Sequence, residues 1–330
     1  MDRQQIDTNP NDLAQWSSFW RQGFITTFGA SQPNNYDGVV REFWREKFID
    51  LPTGARILDI ATGNGAIATM AAEVGDQRQK DFFIAATDLA AINSTIVGDT
   101  EAARLRDSIC FHSHTPCEEQ PFEDDSFDLV SSQFGFEYSN VELTLREVRR
   151  VLMPPAGRFI AISHHANSAL IEAAKVELDI YQYALEELDL FGILRAYFGA
   201  LGNLSGSPKK VAKAMKRAEP LSQSVNSGVE TFRQRHPEDE CSREIVSAIS
   251  YLARGARQST QAERLAAVDA AANDFRFAQA RLQDMIAAAL NQEQIDSLGL
   301  TARAAGFESV FCLRLFGEDR GLVGWQIHMR

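Results

Sequence analysis

Asp59, Gly63 and Gly65 stand in the run Ala55–Ile67, ARILDIATGNGAI, where an apolar strand carries a carboxylate near its end and breaks into a glycine-rich turn ahead of an alanine-rich helix. Such a turn exposes backbone N–H groups at a helix N-terminus, a place that favours carboxylates and phosphates. Glycine at 63 and 65 lets the backbone come close to a ligand that a Cβ would hold off. Further on, the strand FFIAATDLA ends in a second carboxylate, Asp88, followed by Leu89. The chemistry on offer is the binding of a small polar ligand at the carboxyl ends of two strands.

Two ligands compete for that description. Gly63-Asn64-Gly65-Ala66-Ile67-Ala68 fits the loose dinucleotide pattern G-x-G-x-x-G/A, with Asp88 as the ribose-binding acid. In a dinucleotide site, however, no acid is needed inside the strand, whereas here Asp59 precedes Gly63 by four positions in D-x-x-T-G-x-G. A carboxylate there repels a pyrophosphate and suits a ligand with an ammonium group beside a sulfonium. That favours S-adenosylmethionine over a nicotinamide dinucleotide.

At this point the chain resembles the class I S-adenosylmethionine-dependent methyltransferases, and further segments agree in order. Pro121–Val130, PFEDDSFDLV, is similar to that family's approach to its fourth strand, and Leu145–Ile162, LREVRRVLMPPAGRFIAI, to its helix, turn and fifth strand. Leu298–Ser309, LGLTARAAGFES, is similar to the helix and turn before its sixth. The resemblance implies an α/β fold, a doubly wound Rossmann-like sheet of seven strands ordered 3-2-1-4-5-7-6 with strand seven antiparallel. It also implies the cofactor S-adenosyl-L-methionine, held by the Gly63-Asn64-Gly65 loop, with Asp59 in the strand before it and Asp88 on the ribose hydroxyls. The chain departs from the family at the adenine: Pro116 stands where an aspartate is usual, so the expectation passes to Cys117 and Glu118. Leu89, Gln133 after strand four and Tyr36, an aromatic just before the first core helix, complete the expected donor set.

The reaction implied is in-line displacement at a methyl carbon already activated by its positive sulfur, and holding the acceptor in line supplies on the order of 7–11 kcal/mol in favourable cases. A general base adds about 10²–10⁴-fold where the acceptor is a hydroxyl. His164 and His165, just beyond strand five, and Glu137 in QFGFEYSN after strand four, are the catalytic candidates at that edge. The four cysteines lack metal-ligand spacing, and no metal is expected.

Other elements must position these residues. Residues 1–50 read as a helical cap rich in aromatics, with Trp16, Phe19 and Trp20 on one helical face. This cap either packs on the sheet or acts as a lid, since aromatic faces attract a sulfonium. Residues 51–165 read as the donor-binding core and 166–285 as a helical insertion after strand five that shapes the acceptor pocket or a dimer contact. Residues 286–330 complete the core with a helix and a β-hairpin. Gly/Ser clusters at 202–207 and 222–228 are expected to be loops within the insertion.

A hydrophobic fraction of 45% and a charged fraction of 24% are those of a globular protein, and the net charge of −12 disfavours nucleic acid as a partner. Cys110, Cys117, Cys241 and Cys312 show no C-x-x-C spacing and read as reduced thiols. With no signal peptide and no apolar run long enough to span a bilayer, a cytoplasmic protein without a membrane partner is expected. The partner is then a small or medium-sized acceptor, methylated at oxygen, nitrogen or carbon, with a homodimer possible. Two alternatives stay open: a donor-binding partner subunit without catalysis, and an NAD(P)-dependent oxidoreductase.

Overall fold

The computed structural model describes residues 13–29, 34–93, 95–96, 100–204, 207–237, 239–255, 259–318 and 320–330. The chain divides into two compact units, one running up to Glu172 together with Asp284–Arg330, the other Ala173–Gln283.

The first unit is built on seven strands: β1 (Arg56–Ile60), β2 (Phe83–Asp88), β3 (Ile109–Ser113), β4 (Leu129–Gln133), β5 (Arg158–His164), β6 (Val310–Phe316) and β7 (Leu322–Met329). Their order is β3-β2-β1-β4-β5-β7-β6, with β1 to β5 parallel and β7 antiparallel to both neighbours. This is the topology that the resemblance implies. Helices α1 (Ala14–Trp20), α2 (Gly38–Ile49), α3 (Ala66–Arg78), α4 (Thr100–Arg106) and α5 (Val141–Val151) intervene between the strands or precede them.

Alternation along the strands divides the core into two layers. Ile57, Ile84, Leu129 and Ile160 face one cluster with Phe43, Trp44 and Phe48 of α2 and Ile67, Met70 and Val74 of α3. Leu58, Val130, Phe159 and Ala161 face the other, with Leu145, Val148 and Val151 of α5. The α5 spacing presents those three side chains as one stripe, and Asn140 caps the helix by accepting the Leu143 N–H at 3.2 Å. Phe127 and Phe159 are fully buried, and truncating either to alanine costs about 3–5 kcal/mol.

The second unit is helical. After α6 (Ala169–Gln182) come α7 (Leu190–Leu201), α8 (Pro208–Arg235), α9 (Glu240–Gly255) and α10 (Gln261–Ala288), and α11 (Gln292–Ala304) then leads back to β6. One expectation is corrected here. Residues 222–228 are not a loop but the middle of α8, a 28-residue helix that runs on through Pro220. Serine and asparagine cost a helix only a few tenths of a kcal/mol each, roughly 0.5. Burial of Ala218, Val225 and Phe232, at intervals of seven, outweighs that cost.

Candidate functional site

The strand tips and the turns after them make the site. Asp59 of β1 lies opposite Ser131 of β4 in the sheet register. Its Oδ1 accepts the Ser131 hydroxyl at 2.7 Å, and its Oδ2 accepts the Thr62 hydroxyl. Gly65 adopts φ +85° at the start of α3, a left-handed conformation that glycine takes without strain. A Cβ there would stand 2.7 Å from the Phe111 ring. Asp88, last residue of β2, accepts the Gly63 N–H at 2.7 Å on one oxygen and the Ala90 N–H at 2.8 Å on the other. The second carboxylate therefore sets the shape of the turn that follows the first.

A cavity of about 260 Å³ opens over these tips. Among the sequence-derived candidates, Tyr36, Asp59, Gly63, Asp88, Leu89, Cys117, Glu118 and Gln133 line it. Burial raises both Asp59 and Asp88 to about 6, despite the hydrogen bonds each accepts, and Asp88 further raises Asp59. Burial likewise holds the Cys117 thiol and the Tyr36 phenol in their neutral forms. Among the described lining residues there is no lysine, arginine or histidine. A cavity with one buried and one half-buried carboxylate and no cation in its described lining calls for a positively charged ligand.

Asn64 and Gly65 are not among the lining residues. Asn64, fully buried, donates its side-chain amide to the carbonyls of Trp20 (2.9 Å) and Phe24 (2.7 Å) and accepts the Asn93 N–H at 2.9 Å. It fastens the segment 13–29 across the turn, so that the Trp20 indole lies against Gly63, where a Cβ would run into the ring. Arg106 braces the same place: it donates to the carbonyls of Asn64 and Asn93, the latter at 2.6 Å, and lies over the Phe111 ring. Burial lowers its guanidinium to about 10, which still leaves it charged at neutral pH.

The tip of β4 carries the other wall. Gln133 accepts the Trp44 indole N–H at 2.6 Å, which fixes which end of its amide is oxygen. Phe134 and Ala61, at the ends of β4 and β1, both have positive φ, +52° and +49°; backbone strain of this kind gathers at functional sites. Phe134 and Tyr138 line the cavity; Glu137, His164 and His165 are not among its lining residues. Glu137 accepts both the backbone N–H and Nδ1 of His164 at 2.9 Å, and the imidazole stacks on Phe134 with ring centres 4.3 Å apart. The pair thus stands one layer behind the wall. His165 lies apart from it, stacked on Trp325 and accepting the Asn167 N–H at 3.0 Å. At the departure from the family pattern, the Pro116 carbonyl accepts the Gln120 side chain at 2.8 Å, and Glu118 accepts the Asn140 N–H at 2.6 Å.

Of the lining residues that the sequence did not offer as site residues, Phe134 and Tyr138 were within reach, because they follow a predicted strand at its carboxyl end. Thr26 and Thr27 carried no signal.

The sheet order and a ligand cavity over the ends of β1, β2 and β4 define the class of the domain. Residues 58–161 match the family model described as a methyltransferase domain. The chain carries a class I S-adenosylmethionine-dependent methyltransferase domain. It is 33% identical over 181 residues to the ubiquinone/menaquinone biosynthesis C-methyltransferase UbiE of Geobacter sulfurreducens, an alignment covering 52% of this chain and 64% of that one. To the protein of the same name from Rickettsia rickettsii it is 25% identical over 202 residues, covering 52% of this chain and 79% of the other. A crystal structure of an S-adenosylmethionine-dependent methyltransferase from Mesorhizobium loti aligns at 23% identity and a TM-score of 0.29, over 39% of this chain and 56% of that one.

The residues present fit S-adenosylmethionine. Its ammonium and sulfonium suit a cavity whose charged walls are carboxylates, and each Asp88 oxygen, after accepting one N–H, keeps a lone pair for a hydroxyl.

Proposed function

We propose that this chain transfers the methyl group of S-adenosylmethionine to a small-molecule acceptor. The observation that carries the reading is the pair of carboxylates, buried Asp59 and half-buried Asp88, at adjacent strand tips on either side of the glycine turn, in a cavity whose described lining holds no cation. The bound donor supplies a methyl group on a cationic sulfur. In this reading Asp59 holds the ammonium, Asp88 the ribose hydroxyls, and the Leu89 and Cys117–Glu118 wall the adenine, with Tyr36 and Gln133 completing the donor end.

Glu137 and His164 support a positioning role more directly than a proton-transfer one, since Phe134 stacks on the imidazole and itself lines the cavity. Catalysis then comes chiefly from alignment and exclusion of water. The name of the two relatives makes carbon the acceptor atom to test first. The function is tested by incubating the protein with methyl-labelled donor and a panel of small acceptors and measuring transfer. Transfer that disappears in Asp88→Ala supports the reading. Donor binding with no transfer to any acceptor would favour a partner subunit without catalysis.

A further inference from the structure

The donor's three charged or polar handles are matched by residues on the β1, β2 and Cys117 side of the cavity. The segment 13–29 and the residues at and after the tip of β4 add the rings of Trp16, Trp20, Phe134 and Tyr138, with neutral polar groups beside them such as the Thr26 and Ser139 hydroxyls. None of these side chains carries a charge. Burial keeps the Tyr138 phenol protonated. The carboxylates behind this side are engaged and are not among the lining residues: Asp284 accepts the Trp16 indole N–H at 2.9 Å and the Gln15 amide at 3.1 Å, and Glu137 accepts the His164 backbone N–H at 2.9 Å. Trp16 stands edge-on to Tyr138, ring centres 5.7 Å apart, and stacks with Trp20 at 6.4 Å.

From this wall, and resting on the methyl-transfer reading above, we infer that the acceptor is an uncharged molecule with a flat, apolar body, held by the rings of Trp16, Trp20, Phe134 and Tyr138. An anionic acceptor would be desolvated beside Asp59, Asp88 and Glu118 with no cationic side chain in the described wall, only the donor's sulfonium, at a cost of several kcal/mol. A cationic acceptor would face the donor's positive sulfur across the length of one methyl transfer. A neutral ring system meets neither penalty and gains aromatic contact, worth about 0.5–1.5 kcal/mol per pair beyond area burial. The class excludes phosphorylated and carboxylated acceptors.

Three probes sharing one ring system test this: 2-naphthol, 2-naphthoate and 2-naphthylmethylammonium, titrated at pH 7.5 into protein saturated with sinefungin, whose amine keeps the donor's positive charge without a methyl group to transfer. The expected result is that the neutral probe binds at least tenfold more tightly than either charged one. Trp16→Ala should lose that binding and Trp16→Phe should retain most of it, while both variants still bind sinefungin and so report a folded site. Equal or tighter binding of the naphthoate or of the ammonium probe overturns the inference, as does a Trp16→Ala variant that binds 2-naphthol unchanged. Failure of the wild-type protein to bind sinefungin would instead overturn the proposed function beneath it, so the two failures are separable.

Discussion

Replacing Asp59 with asparagine should make the donor-free protein more stable at neutral pH while weakening the donor site. Asp59 is buried at the tip of β1, and its carboxyl is raised from 3.8 to about 6, first by burial and then by the nearby Asp88. Each unit of such a shift is about 1.4 kcal/mol. The native protein therefore bears roughly 3 kcal/mol for holding this group ionised, an upper figure. The native carboxyl binds its proton more tightly than the unfolded chain does. The penalty is accordingly absent below about pH 4, grows between about 4 and 6, and is full above about 6. Asparagine has nearly the same shape, and the Ser131 and Thr62 hydroxyls that donate to Asp59 can turn to accept from the new amide. For a unit of this size each kcal/mol moves Tm by about 2–4 °C, so Asp59→Asn should melt up to about 6–12 °C higher than wild type at pH 8. The gap should close near pH 4. Thermal melts of both proteins from pH 4 to 8, without ligand, measure it. A gap that does not change with pH, or a variant less stable at pH 8, would refute the claim that ionising this carboxylate is costly in the empty site.

Further outcomes follow from the same geometry. Affinity for S-adenosylmethionine should rise from pH 5 to 7 and level off above, because Asp59 must ionise to meet the ammonium and Asp88 to accept the ribose hydroxyls, both through about 6; titration calorimetry across that range reads it, and a flat profile would count against it. Asn64→Ala removes three hydrogen bonds to 13–29 and Asn93, worth roughly 2–4 kcal/mol together. It should raise the donor dissociation rate and the hydrogen exchange of residues 20–24, and unchanged exchange there would show that Asn64 is not the fastener. Gly65→Ala forces a left-handed residue against Phe111; it should destabilise the protein by about 1–3 kcal/mol and weaken donor binding, and an undisturbed melt would count against it.

How much of this was legible in the sequence depends on whether one segment carried the information. The run Asp59–Gly65 places its carboxylate, turn and helix start by local geometry alone, and the strand alternation likewise needs only the pattern of apolar residues. Asn64 was read as part of the donor loop because it lies between two glycines. Its amide turns instead to Trp20 and Phe24, some forty residues away, a pairing that no local pattern encodes. The Glu137–His164 contact has the same origin: Glu137 follows β4 and His164 ends β5, strands that are neighbours only in the folded sheet. The continuity of α8 through Pro220 and SQSVNSG was hidden because turn-forming residues read as a loop, whereas the buried Ala218, Val225 and Phe232 hold that stretch helical through packing that no local pattern encodes.

The most direct test of the donor site is titration calorimetry of the full chain with S-adenosylmethionine and S-adenosylhomocysteine, alongside NAD and NADP, repeated on Asp88→Ala. Micromolar binding of the first pair only, lost in the variant while its far-ultraviolet circular dichroism is preserved, is the expected result. Absence of binding by a folded wild-type protein, or an affinity for the dinucleotides instead, would contradict the assignment of Asp59 and Asp88 to a methyl donor.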